Sequence, residues 1–192
     1  MNKKGKLILI IGPSGVGKGT AIKQIRQLCS QLFFPTSYTT RQMRQGEKQG
    51  ETYNFITKPE FEKMIKDDAF LEYQLVHNTS YYGTDKASIL ENIEKGKSVL
   101  REMDIQGVKE ILDKEWSFDI VTIFITTDSW ETLKSRILKR SQISEQELEN
   151  RKQSYLKEIE FLEKSNHVVY SEENKIDKLI QSLASIINNE TC

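Results

Sequence analysis

Leu7-Ile8-Leu9-Ile10-Ile11-Gly12-Pro13-Ser14-Gly15-Val16-Gly17-Lys18-Gly19-Thr20 decides the fold. Five apolar residues in succession read as a strand buried on both faces, and Ile22, Ile25 and Leu28 recur on one face of a helix that follows. Between them, Gly12-x-x-x-x-Gly17-Lys18 has the spacing and context of a phosphate loop. Its glycines let successive backbone N–H groups turn inward on an anion. The helix adds its positive dipole end, and Lys18 brings a full charge to the β- and γ-phosphates. Gly12, Pro13, Ser14, Gly15, Val16, Gly17, Lys18, Gly19 and Thr20 are therefore the candidate nucleotide-polyphosphate residues. One position departs from the strict motif. Gly19 stands where a Ser or Thr would offer a hydroxyl to a divalent cation, and Thr20 comes one residue late. No side chain is assigned as a direct metal ligand.

The chain has 192 residues, with 28 Lys and Arg balanced by 28 Asp and Glu. That length supports one sizeable core and one domain, at most two. Zero net charge gives no global pull toward nucleic acid or an anionic membrane, so any anion site must be built locally. Leu7 to Ile11 is too short for a signal-peptide core or a membrane span, and no other long apolar run exists. A soluble, cytoplasmic protein with neither nucleic-acid nor membrane partners is expected. The two cysteines share no metal spacing. Cys29 is expected in the core and Cys192 at the surface, unbridged.

Short apolar runs alternate with helical patterns, which argues for an α/β fold with a largely parallel sheet. Strands are expected at Ser98 to Met103, with a polar end, at Ile120 to Ile125 and at His167 to Tyr170. Helices are expected over Gln106 to Lys114, Ser129 to Lys139 and Glu145 to Ser165, and in an amphipathic C-terminal segment carrying Ile176, Leu179, Ile180, Leu183, Ile186 and Ile187. The Lys- and Glu-rich helix at Glu145 to Lys164 reads as a solvated face apart from Arg151. The stretch from Ser37 to Lys95 reads as an insertion on this core. It contains β-prone pieces at Ser37 to Thr40, Tyr53 to Ile56, Phe70 to Val76 and Tyr81-Tyr82, with a turn at Asn78-Thr79-Ser80. A helix at Pro59 to Asp68 has Thr57 as its N-cap, and another at Asp85 to Lys95 is stopped by Gly96. His77 and His167 have no metal or triad partner in the sequence, and Trp116 and Trp130 read as packing residues.

Within the insertion, Arg41, Arg44 and Glu47 share a polar loop and Tyr53 follows. Two guanidinium groups and a phenol are what a phosphate monoester needs, although a solvated charged loop has the same composition. Glu72 interrupts an apolar stretch, Phe70-Leu71-Glu72-Tyr73. It is either an exposed residue on an alternating strand or a buried acceptor for a base edge. Guanine offers N1–H and N2–H₂ side by side, which suits a carboxylate, and its O6 suits a hydroxyl such as Ser37 or Thr84. Adenine would leave both unpaired.

These pieces together resemble a guanylate kinase from end to end: GPSGVGKGT at 12–20, SYTTRQMRQGE at 37–47, Tyr53-Asn54-Phe55, FLE at 70–72, YYGT at 81–84, MDIQG at 103–107, and Arg136, Arg140 and Arg151. The resemblance implies a P-loop NTPase-type parallel sheet flanked by helices, at about 1–36 and 96–192. It implies an inserted mixed α/β GMP-binding region at about 37–95 and a helical lid at about 136–155. It implies transfer of the ATP γ-phosphoryl group to GMP with Mg²⁺, with dGMP as a further acceptor, by a monomer or weak homodimer serving purine nucleotide metabolism. Ser37, Glu72, Thr84 and Asp104 would then read guanine. Arg41, Arg44, Tyr53 and Tyr82 would hold the GMP phosphate and Glu47 would brace their loop. Lys18, Arg41, Arg136, Arg140 and Arg151 would be catalytic.

Some positions depart from the family pattern. Glu102 and Asp104 replace two aspartates, Lys139-Arg140-Ser141 replaces a Gly-Arg-Gly turn, and Ser171 stands where an Asn–Asp pair helps hold adenine. The segment between Glu72 and Tyr82 is one residue longer. Two rival readings follow. One is a nucleoside monophosphate kinase of altered or weak specificity; the other is a non-catalytic guanylate-kinase-like binding module, against which the intact Lys18 stands.

Overall fold

The computed structural model describes residues 3–76, 79–140 and 142–191. In chain order, β1 (Leu7–Ile11) leads into α1 (Lys18–Leu28). The inserted segment contributes β2 (Tyr38–Thr39), β3 (Asn54–Phe55), α2 (Lys58–Lys66), β4 (Phe70–Val76), β5 (Ser80–Asp85) and α3 (Lys86–Glu94). There follow β6 (Val99–Glu102), α4 (Ile105–Leu112), β7 (Ile120–Thr126), α5 (Trp130–Arg140), α6 (Glu145–Ile159), a 3₁₀ turn at Leu162–Lys164, β8 (His167–Tyr170) and α7 (Ile176–Thr191). His77, Asn78, Ser141 and Cys192, for which a turn, a lid position and a surface thiol were expected, lie outside the described residues.

Two four-stranded sheets result. The first is parallel, in the order β6-β1-β7-β8. Every residue of β1 is buried, as its unbroken apolar run demands in a sheet covered on both faces. Its alternation sorts residues between two cores. Ile8 and Ile10 pack with Ile25, Leu133, Leu183 and Ile187 on one face. Leu7, Leu9 and Ile11 pack with Leu71, Ile89, Ile93, Val108 and Phe161 on the other. Cys29 is buried in the first core, as expected. Trp130 packs partly buried against that core, and Trp116 against the second.

The second sheet is mixed, in the order β3-β2-β5-β4, and is built wholly from the inserted segment. Its own small core is aromatic. Phe61 of α2 stacks on Phe70 at 4.3 Å and on Tyr81 at 5.1 Å between ring centroids. Gly83 lets those rings close over β5: a Cβ there would lie 2.8 Å from Phe70 and 2.9 Å from Phe61. Thr57 caps α2 reciprocally with Glu60, and Pro59 sits in the first turn, as the sequence predicts.

One expected element is shorter than its sequence pattern. α6 ends at Ile159 rather than running to Ser165. Tyr155 and Ile159 face the first core, whereas Phe161 is buried in the second, so a single helical face cannot serve both and the chain tightens into a 3₁₀ turn. No helix among the described residues is long and apolar enough to cross a membrane.

Phe61 is fully buried and holds three aromatic neighbours, so Phe61→Ala should cost about 3–5 kcal/mol, as large aromatic deletions in cores do. Urea unfolding followed by circular dichroism measures this; a midpoint unchanged from wild type would show that the inserted sheet does not depend on this cluster.

Candidate active site

The phosphate loop leaves β1 at the C-terminal end of the parallel sheet, where ligands of open α/β sheets bind. Gly12 is forced there by packing: its φ is 139°, and a Cβ would lie 2.0 Å from the Ile125 carbonyl oxygen of β7. The chain then turns through positive φ at Gly15 and Gly17, and α1 begins at Lys18. The Lys18 ammonium donates to the carbonyls of Gly12 at 2.6 Å and Pro13 at 3.2 Å. It also lies 3.7 Å from Glu102, which the parallel register sets opposite Ile10.

A cleft of about 1060 Å³ opens over this loop, lined by Ser14, Gly15, Lys18, Thr20 and Glu102 on one side and by Arg136 and Arg140 on the other. A smaller hollow of about 300 Å³ adds Arg151 beside Ser14 and Gly15. The structure therefore brings together the loop and all three arginines named from the sequence. Arg136 is anchored by Ser171, donating to its hydroxyl at 2.9 Å and its carbonyl at 2.8 Å. Arg151 pairs with Glu147 of its own helix at 2.7 Å, and Arg140 is exposed at the end of α5.

The inserted sheet carries the second half. Glu47 accepts from both terminal nitrogens of Arg41, at 2.7 and 3.0 Å, and from the Arg44 backbone N–H at 2.7 Å. These donors hold the Glu47 carboxyl down to about 2 from its usual 4.5. Arg41 Nε donates to the Tyr82 hydroxyl at 3.2 Å, and the guanidinium lies over the rings of Tyr53 and Phe55. Tyr53 and Tyr82 meet edge to face at 5.7 Å. Arg41, Tyr53 and Tyr82 thus converge, with Arg44 exposed at the rim.

Glu72 and Thr84 are register partners on β4 and β5, and the Thr84 hydroxyl donates to Glu72 at 2.6 Å. Tyr38 pairs with Gly83, so the register continued by one residue sets Ser37 beside Thr84. Ser37 and Thr84 are buried, and the Glu72 side chain is only 10% exposed, which excludes a solvent-facing residue on an alternating strand. Burial pushes the Glu72 carboxyl up, against the pull of the Thr84 hydrogen bond and the Arg101 charge. Asp104 caps α4, its side chain accepting from the Gly107 N–H at 2.8 Å, and also accepts from the side chain of Gln74.

The geometry thus gives a cleft over the loop, an Arg41–Tyr53–Tyr82 cluster and a buried carboxylate–hydroxyl row. Residues 4–190 match the family model for guanylate kinase. The chain belongs to the guanylate kinase family. It is 43% identical over 190 residues to the guanylate kinase of Clostridium tetani, covering 99% of this chain and 88% of that protein. It is 41% identical over 192 residues to that of Caldanaerobacter subterraneus subsp. tengcongensis, covering 100% and 91%. Its fold matches the crystal structure of guanylate kinase from Anaplasma phagocytophilum with a TM-score of 0.71 at 23% identity, over 98% of this chain and 87% of that one. A nucleoside monophosphate kinase using ATP, a nucleotide-binding transferase, is the enzyme class this membership carries.

Two ionisable residues of this guanylate kinase site were not singled out from sequence. Arg101 follows Val99 by two and so shares its inward face on β6. Glu158 lines a hollow with Pro13, Ser14 and Arg151, where burial raises its carboxyl and the Lys18 charge lowers it. Its position in a Lys- and Glu-rich helix hides it among solvated neighbours.

The Glu47 brace survives acid. Its carboxyl is depressed by folding, so its contribution is complete above about pH 4.5 and is lost only as pH falls toward about 2. Glu47→Gln should raise KM for GMP about tenfold, the loss of one charge-assisted hydrogen bond, with KM for ATP within twofold. Steady-state kinetics with each substrate varied checks this, and equal effects on both would refute a role confined to the acceptor side.

Proposed function

We propose that this kinase transfers the γ-phosphoryl group of ATP to GMP, giving ADP and GDP. The observation that carries the proposal is the row of Glu72 and Thr84, with Ser37 beside it, next to the Arg41–Tyr53–Tyr82 clamp. A carboxylate for N1–H and N2–H₂ and hydroxyl donors for O6 match guanine and penalise adenine. Arg41, Arg44, Tyr53 and Tyr82 hold the acceptor phosphate, and Glu47 fixes Arg41 for it. Asp104 stands at the edge of the base site.

The phosphate loop from Gly12 to Thr20 binds the donor. Lys18 exchanges its two loop carbonyls for phosphate oxygens, a trade of neutral acceptors for charged ones. Arg136, Arg140 and Arg151, on a lid we take as about 136–155, close on the transferring group and exclude water. The region at about 37–95 is the GMP-binding part of a single domain. GMP's phosphate is already ionised near neutral pH, so no general base is assigned. The reaction is alignment and charge stabilisation.

The donor set fits a Mg²⁺ that arrives with ATP. Among the described residues no cluster of three or more His, Cys, Asp or Glu could hold an ion, while Thr20 and Glu102 line the cleft beside Lys18. Such an ion would take most of its ligands from phosphates and water, and it would offset phosphate charge. We take the enzyme to work in the cytoplasm as a monomer or weak homodimer; dGMP should also serve, since no contact is assigned to the 2′-hydroxyl.

ADP release with ATP, Mg²⁺ and each of GMP, dGMP, AMP, CMP and UMP tests the proposal. GMP should turn over fastest, and Lys18→Ala should lower kcat by roughly 10²–10³-fold or more while leaving the melting temperature nearly unchanged. Glu72→Gln should erode GMP-over-AMP selectivity more than phosphate binding. Equal rates on AMP and GMP, or no turnover with any acceptor, would overturn it.

A further inference from the structure

Arg101 projects from β6 into the inserted lobe. Its side chain is 22% exposed, and its Nε is sealed from solvent and finds no hydrogen-bond partner among the described residues. Such an unsatisfied donor works against folding. The inward residue two positions earlier, Val99, is apolar, as are its β1 neighbours Leu7 and Leu9, so a leucine would suit position 101 better on stability grounds. The guanidinium points instead at Glu72, with Nη2 3.8 Å from Oε1.

The surroundings of Glu72 give that contact a consequence. On β5, the Thr84 hydroxyl donates to it. From α4 and its cap, Asp104 and Glu110 face it with like charge. Phe61 of α2 packs in the aromatic cluster of this lobe, and Ile89 and Ile93 of α3 pack with Leu71 in the second core of the parallel sheet, all apolar. Among the described residues Arg101 is the cation acting on it, and it is itself faced by Glu72, Tyr53 and Glu102. A carboxylate that accepts two N–H bonds from a base must be ionised, because a protonated carboxyl offers a competing O–H. Burial and two neighbouring carboxylates oppose that state, and Arg101 favours it.

We propose that Arg101 is a positioning residue for base recognition, a buried counter-charge that holds Glu72 ionised and oriented for the N1–H and N2–H₂ of guanine. This rests on the guanine assignment above and adds to it a residue that never touches the acceptor phosphate. Removing the charge leaves Glu72 protonated over more of the pH range, so GMP binding fails from a higher pH as the solution is acidified. The titration of GMP's own phosphate is common to every variant and cancels in the comparison.

The test is calorimetric titration of the full chain with GMP between pH 5.5 and 9, for wild type, Arg101→Met, Arg101→Lys and Glu72→Gln, with ADP as the donor-site control. Arg101→Met should move the acid limb of the affinity profile up by about one pH unit and so weaken GMP about tenfold at a given pH on that limb, tenfold per unit. Arg101→Lys should restore most of both, and ADP affinity should stay within twofold throughout. Arg101→Gln serves if the Met variant does not fold. An Arg101→Met profile that superimposes on wild type, or that drops uniformly without moving along the pH axis, overturns the proposal while Glu72→Gln still loses GMP. Wild-type GMP affinity in Glu72→Gln overturns the guanine assignment itself and this inference with it.

Discussion

β1 has no free edge and no free face: β6 and β7 flank it, and a separate core covers each side. The chain must leave such a strand through whatever backbone space its neighbours allow, and at Gly12 that space excludes even a methyl group, because the Ile125 carbonyl stands in its way. From that contact the course of the loop follows. The loop is pressed against the end of β7, and Lys18 folds back onto the loop's carbonyls. The same parallel register carries Glu102 to the end of β6 opposite Ile10, within reach of the Lys18 ammonium. Packing in the sheet thus sets the electrostatics of the cleft above it.

The arginines differ in how firmly they are held, and the difference follows their position. Arg41 is gripped by a two-pronged carboxylate and a phenol, with aromatic rings beneath it. That is the preorganised state a phosphate clamp needs before ligand arrives. Arg151 has an exposed pair on its own helix, an interaction worth little in water and readily exchanged. Arg136 lies between these, tied to one serine's hydroxyl and carbonyl. On the proposed reading, a firmly held Arg41 would serve as the acceptor clamp and arginines that exchange partners at low cost would suit a lid.

Much of this was legible in the chain itself. The run Leu7 to Ile11 and the glycines after it predict a buried strand, a loop and a helix, because each step is a local rule. The cap at Thr57 and the grouping of Arg41 and Tyr53 involve residues whose type announces their chemistry, while Tyr82 and Asp104 entered only through the resemblance. What escaped was non-local. The end of α6 depends on which of two cores Phe161 must enter, and nothing near Ile159 signals that choice. Glu158 sits among acidic and basic neighbours that face water. Arg101 lies in a strand whose polar end reads as a simple exit from the sheet; only the placement of the inserted lobe beside it turns an end residue into the neighbour of Glu72.

The two glutamates of that lobe show how environment divides labour between identical side chains. Glu47 meets two guanidinium nitrogens and a backbone N–H, and these hold it ionised down to about pH 2. Glu72 meets apolar burial and two like charges, which push its carboxyl upward, and among the described residues Thr84 and Arg101 resist. The signs are opposite, so acid reaches them in order. As pH falls, Glu72 takes up its proton first, while the Arg41–Glu47 pair persists until far stronger acid. On the proposed assignment, recognition of the base would be the pH-sensitive half of this lobe and recognition of the phosphate the insensitive half, a division that follows from where each carboxylate is buried and which cation faces it.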